Sequence, residues 1–95
     1  MRVDTAVVTI LGVRIVLVFP HPSYVYPGVG DLLIKRLEPH FPTTPIMLVH
    51  LEYGEERAYA TFQTAPFLTA LDIDQIFLRE VDLDVLPVEE IELPF

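Results

Sequence analysis

The residues with most chemistry to offer are carboxylates near the end of the chain. Leu71 to Phe95 holds eight acids, Asp72, Asp74, Glu80, Asp82, Asp84, Glu89, Glu90 and Glu92, against one base, Arg79. The other residues hold six acids and five bases, so nearly all of the net charge of −8 sits in this segment. The acids alternate with apolar residues, as in Val81, Asp82, Leu83, Asp84, Val85 and again in Glu90, Ile91, Glu92, Leu93. Such alternation predicts a strand with one apolar face and one carboxylate face, not a disordered acidic tail. On that strand Glu80, Asp82 and Asp84 share a face at ~6.6 Å spacing. Phosphates along one nucleic-acid strand lie about 6–7 Å apart. The row therefore either imitates a phosphate backbone toward a nucleic-acid-handling protein or forms the solvated outer face of an edge strand.

Other constellations are weaker. Asp72-Ile-Asp74 and Asp82-Leu-Asp84 could offer oxygens to a hard divalent cation. No calcium-loop glycine accompanies them, and Asp72 and Asp74 are expected to close a turn after a short helix. The histidines are dispersed: His21 and His40 stand beside prolines, and His50 alternates with Leu48 and Glu52 in a strand pattern. Zinc needs three or four converging ligands, so His50 with Glu52 is read as an ordinary strand pair. Ser23 is the single serine and there is no cysteine. A His21–Ser23 dyad lacks a residue to orient the base. Pro27-Gly28-Val29-Gly30-Asp31 lacks the Gly-Lys-Ser/Thr ending of a phosphate loop and reads as a turn. The expectation is a protein without catalytic residues, cofactor or metal.

The second site candidate is the segment Pro20 to Gly30, with three prolines and two glycines around Tyr24 and Tyr26. Loops of this length are commonly functional, and tyrosines are effective interface anchors. Either these rings meet a partner, or they fold back over the edge of the sheet.

Composition narrows the classes. Ninety-five residues make a single domain, 1–95, and an apolar fraction of 52% is at the upper end for globular chains. The apolar excess in so small a domain points to a homo-oligomer or a partner. Without cysteine there are no disulfides or thiolate metal sites. Six dispersed bases offer no basic stripe, which argues against direct nucleic-acid binding. Arg2, Asp4, Gly12 and Arg14 interrupt the N-terminal run, unlike a secretory leader, and no apolar stretch reaches the ~20 residues of a membrane span. A soluble cytoplasmic protein is the default.

The elements that must position these residues follow from pattern and punctuation. Val3 to Ile10 and Val13 to Phe19 are strands joined at Leu11-Gly12, and the second is apolar on both faces apart from Arg14. A helix is expected from about Val29 to Glu38, with Leu33, Ile34 and Leu37 inward and Pro39 as its stop. Ile46 to Tyr53 and Arg57 to Gln63 make a second hairpin around Gly54-Glu55-Glu56. Thr64 caps a short helix over Ala65 to Leu71. Ile76 to Leu86 is the fifth strand, and beyond Pro87 the segment Glu90 to Leu93 forms a short edge strand.

The order is ββαββαβ(β). It predicts an α+β domain, a two-layer mixed or antiparallel sheet of four to six strands with one main and one short helix. The succession of hairpin, helix, hairpin, short helix and return strand resembles the β-grasp arrangement in topology. That resemblance implies a fold and no activity. The expected function is a non-enzymatic interaction domain that docks on a basic protein partner, as inhibitor or accessory factor of a nucleic-acid-handling protein. Its partner-binding residues are Glu80, Asp82, Asp84, Glu90, Glu92, Tyr24 and Tyr26. The alternatives are a structural subunit of a homo-oligomer or particle and, more remotely, a metal-dependent hydrolase.

Overall fold

The link Leu11–Gly12 sets the first hairpin. Leu11 and Gly12 have φ of +52° and +78°, the left-handed pair that a type I′ turn requires. The turn aligns β1 (Arg2–Ile10) antiparallel to β2 (Val13–Phe19), from Ile10 opposite Val13 to Asp4 opposite Phe19. These features come from a computed structural model that describes residues 1–52 and 54–85. The expected strand over Glu90 to Leu93, with Glu90 and Glu92, lies outside the described residues.

After β2 the chain crosses the sheet through α1 (Val29–Leu37). Gly28 precedes the helix with φ +88°, and its N–H donates to the Asp31 carboxylate at 3.0 Å, closing the first turn. Leu33, Ile34 and Leu37 form the buried stripe, and a 3₁₀ turn over Glu38–His40 follows. Gly30 is needed for close approach. A Cβ there would lie 2.8 Å from the Tyr59 ring and 2.9 Å from the Tyr24 carbonyl oxygen. The crossover leaves β3 (Ile46–Glu52) parallel to β2, with Val16 opposite Ile46.

β3 turns back into β4 (Glu55–Tyr59). Glu52 faces Glu55, His50 faces Arg57 and Leu48 faces Tyr59. The connection is therefore the two residues 53 and 54, with Gly54 at φ +82°, rather than Gly54-Glu55-Glu56. Burial decides this register. It sends Tyr59 to the core beneath α1 and Ala58 to the opposite core.

The chain then leaves the sheet through α2 (Ala65–Ala70) and a 3₁₀ turn at Ile73–Gln75, and returns as β5 (Arg79–Asp82). Thr64 occupies the cap position of α2 without a side-chain cap bond. β5 pairs antiparallel with β1, and the sheet order is β4-β3-β2-β1-β5. The two hairpins are thus neighbours, and the return strand is the outermost on its side among the described residues. Among the described residues this is a five-stranded mixed sheet with one main and one short helix, an α+β domain.

β5 is shorter than the expected Ile76–Leu86. The Asp82 carboxylate accepts from the Asp84 N–H at 3.0 Å, and the Val85 N–H donates to the Asp82 carbonyl at 3.3 Å. A carboxylate that bonds the backbone two residues on competes with the strand ladder, so the chain turns there.

Both faces of the sheet are covered, each over a different half. Beneath α1 lie Val3, Val16, Val18, Ile46 and Leu48. On the other face Ala6, Val8, Ile10, Ile15, Leu17, Met47 and Val49 pack with Phe62, Phe67, Leu68 and Ile76. The switch is visible in β1: Val3 and Thr5 are buried on the α1 face while Val7 and Thr9 are exposed there. β2 is therefore buried on both sides within one chain, which removes the motive it offered for a second subunit.

Candidate functional site

The acidic edge is built from β1 and β5. Arg2 stands opposite Asp82 and Asp4 opposite Glu80, and directly opposed residues share a face. Glu80 and Asp82 therefore point the same way, as period 2 requires. Arg2 lies 3.7 Å from a carboxylate oxygen of each. Asp84 departs from the expected row because it lies in the turn after β5. There it pairs with the Met1 amine and, at 2.8 Å, with Arg36 of α1. These partners, the amine first, hold its carboxyl below the ordinary carboxylate range. Leu83 is buried as expected, but Val85 is exposed, being carried outward by the turn. The evenly spaced row of three carboxylates is thus a pair plus a turn residue, and all three carboxylates have cationic neighbours.

The two Asp-x-Asp segments share one device. Asp72 accepts from the Asp74 N–H at 3.0 Å, as Asp82 does from Asp84. Each first aspartate is engaged by backbone, in keeping with turn closure rather than a cation cage.

The proline-tyrosine segment folds against β4. Tyr24 is partly buried and packs on the core beneath α1, whereas Tyr26 is 48% exposed. The Arg57 guanidinium sits 4.5 Å from the Tyr26 ring centroid, donates to the Pro22 carbonyl at 3.1 Å and donates to Glu55 at 2.8 Å. His21 and Ser23 do meet, Nδ1 to Oγ, at 2.8 Å. The same Nδ1 also accepts from the Ser23 N–H, so the ring caps a 3₁₀ turn at Pro22–Tyr24. Both residues are solvent-facing, and among the described residues no carboxylate orients the imidazole. Gly28 serves the turn into α1, and Gly30, inside the helix, permits the close approach to Tyr59 and the Tyr24 carbonyl.

The β3–β4 tip is the region that sequence reasoning missed. Its two-residue link places Glu52 opposite Glu55 and leaves Glu56 beside Leu51. His50 contributes a ring only 12% exposed, with Nε2 2.9 Å from Glu52. The ligand atoms of His50, Glu52 and Glu55 all lie within 4.8 Å of one another. Beside them is an open cleft of about 270 Å³ lined by Leu51, Glu52, Glu56 and Ile73. Arg57 is the one cation paired with the tip carboxylates among the described residues, apart from any charge on His50. The signal available in the sequence was the run Glu52, Glu55, Glu56 around Gly54, which reads as a loop until the register is known.

Between β4 and the helix, Tyr59 donates to Asp31 at 2.7 Å. The Gly28 N–H and then this hydroxyl hold the Asp31 carboxyl below its ordinary range, and the same bond pushes the Tyr59 phenol up. That pair ties the helix start to the sheet.

Comparison of the chain with protein-family models, curated proteins and solved structures gives no match. Among the described residues no helix is long and apolar enough to cross a membrane.

Proposed function

We propose that this is a non-enzymatic interaction domain that docks on a basic protein partner, with the β3–β4 tip as its principal contact. The cleft of Leu51, Glu52, Glu56 and Ile73 supports this reading. Two aliphatic walls with two carboxylates suit a lysine or arginine side chain, whose stem packs on apolar surface while its head meets the acids. Charge complementarity of this kind steers encounter and selects partners. Glu80 and Asp82, with Asp4, form a second and weaker acidic face, and Tyr26 flanks the tip through Arg57. An inhibitor or accessory role toward a nucleic-acid-handling protein follows if that protein's basic surface is what the tip covers.

The test is titration of a lysine-rich peptide at low and at high salt. Wild-type protein should bind more weakly as salt rises. Glu52→Gln with Glu56→Gln should lose affinity and flatten the salt dependence more than Glu80→Gln with Asp82→Asn. A larger loss in Glu80→Gln with Asp82→Asn would move the contact to the β5 edge, and salt-independent binding would remove the docking reading.

A second reading rests on exposed apolar side chains before β5. Phe77 is 82% exposed, with Leu78 and Ile73 also open to solvent. Beside β5, which pairs with β1 alone among the described residues, they would suit contact with a second copy of the chain. Sedimentation at high concentration distinguishes this: wild type should associate and Phe77→Ser should not.

A further inference from the structure

We infer that the β3–β4 tip also binds one divalent transition-metal ion of the zinc class, through His50, Glu52 and Glu55. The donor atoms of the three residues already lie within 4.8 Å of one another. Tetrahedral zinc with bonds of ~2.1 Å needs donors about 3.4 Å apart. Exposed glutamates cover that difference by side-chain rotation, while the backbone stays in register. Two opposed glutamates alone would be a solvated turn. The third donor distinguishes this cluster, because it is a nitrogen on a nearly buried ring whose Nε2 is aimed at Glu52 at 2.9 Å.

Register supplies the rest of the geometry. His50 and Glu52 are two residues apart on β3 and share a face, and Glu55 stands directly opposite Glu52 on β4. Like charges facing each other across a strand pair are unfavourable, and a cation between them reverses that sign. Arg57 already approaches Glu55 at 2.8 Å, and it is the group that opposes a second cation here. Its guanidinium is also held by the Tyr26 ring and the Pro22 carbonyl, and Glu55 keeps a second carboxylate oxygen for the metal. A mixed imidazole and carboxylate set suits zinc and its first-row neighbours better than calcium or magnesium, which take oxygen ligands. Three protein ligands leave a position for water. Bound there, the ion would clip β3 to β4 beside their turn.

The inference does not depend on peptide docking, since only Glu52 belongs to both sites. The experiment is calorimetric titration of the full chain with Zn²⁺ at neutral pH. Co²⁺ serves as a visible-absorption probe, and NMR follows the His50 ring. One saturable equivalent is expected, with Co²⁺ perturbing His50 in preference to His21 and His40. His50→Gln should weaken binding at least about tenfold, since loss of a ligand costs no less than the roughly 10–100-fold lost with an outer-shell partner. Glu55→Gln, a change on the solvent-facing side, should do likewise and covers the case in which His50→Gln disturbs packing. His40→Gln should bind as wild type does. Acidification should release the ion, because imidazole ligates only when neutral. Zn²⁺ in excess should raise Tm by roughly 5–10 °C through mass action, and not in His50→Gln. Unaltered affinity in both His50→Gln and Glu55→Gln, or no saturation up to millimolar Zn²⁺, would overturn the assignment.

Discussion

The β5 edge and the β3–β4 tip are both rich in carboxylates, yet they present different amounts of charge. At the edge Arg2 answers Glu80 and Asp82, while the Met1 amine and Arg36 answer Asp84. At the tip Glu52, Glu55 and Glu56 have Arg57 and the His50 ring between them. The edge has the stronger alternating pattern in sequence and, among the described residues, the more compensated surface in three dimensions. Alternation along one strand reports which residues share a face. How much charge that face offers depends on what the neighbouring strand, helix and chain start bring opposite, which alternation does not report.

The largest perturbation that separates the two regions acts through α1. Gly30 lies against Tyr59 of β4, and its missing Cβ permits the contact. Gly30→Ala must move the Tyr59 ring or the helix, which costs about 1–3 kcal/mol as an overpacking change. Chemical denaturation should show that loss. Amide exchange should accelerate in β4 more than in β5. Uniform acceleration of the two strands would mean that the helix does not hold the tip in particular.

Acid should act mainly on the pairs that close the fold. Asp84 and Asp31 have carboxyls held below the ordinary range, Asp84 by the Met1 amine and Asp31 by the Gly28 N–H. A lowered carboxyl pKa means that the folded state favours the ionised form. Its contribution is therefore present above about pH 4 and is lost as pH falls through the folded value. Asp84→Asn should flatten the fall of Tm below about pH 4. The raised Tyr59 phenol works at the other end. Its contribution is complete below about pH 10 and is lost as the pH rises through the higher folded value. An acid profile unchanged in Asp84→Asn would mean that the pair at the β5 edge does not hold the fold against acid.

Legibility in the sequence follows the same division. β2 and α1 were readable because apolar periodicity and punctuation agree: Gly12 before one, Gly28 and Asp31 at the start of the other, Pro39 after it. That Glu80 and Asp82 share a face was readable from period 2. The end of β5 was not, because the pattern runs on through Val85 while the Asp82 side chain bends the backbone away. The tip was not readable either. Gly54, Glu55 and Glu56 are turn-forming in composition, and only the burial of Ala58 and Tyr59 in opposite cores draws Glu55 into the strand. The His50 cluster follows from that one shift of register.

The two hairpin links give a smaller test. Leu11 is 63% exposed and holds φ +52°, a conformation that branched apolar side chains disfavour. Leu11→Asn creates the Asn-Gly pair preferred in type I′ turns and should stabilise the protein by about 0.5–1 kcal/mol. A thermal melt would check it. No gain would mean that Leu11 makes a compensating contact across the turn.

The smallest expected effect decides the comparison by its sign. At the tip Glu52 faces Glu55, and opposed like charges on a strand pair cost a few tenths of a kcal/mol. Glu52→Gln removes that repulsion and keeps an oxygen that can accept from His50. In metal-free solution it should raise stability by about 0.2–0.5 kcal/mol. Asp84→Asn removes the charge that answers the Met1 amine and Arg36, so at neutral pH it should lower stability. Urea denaturation at low salt with a chelator present, repeated at high salt, reads both. Screening should shrink the two differences toward zero, since both are surface Coulomb effects. A loss of stability in Glu52→Gln as in Asp84→Asn would mean that the tip carboxylate is structural, bound into the fold through His50. It would not then be free to meet a cationic side chain or a metal ion.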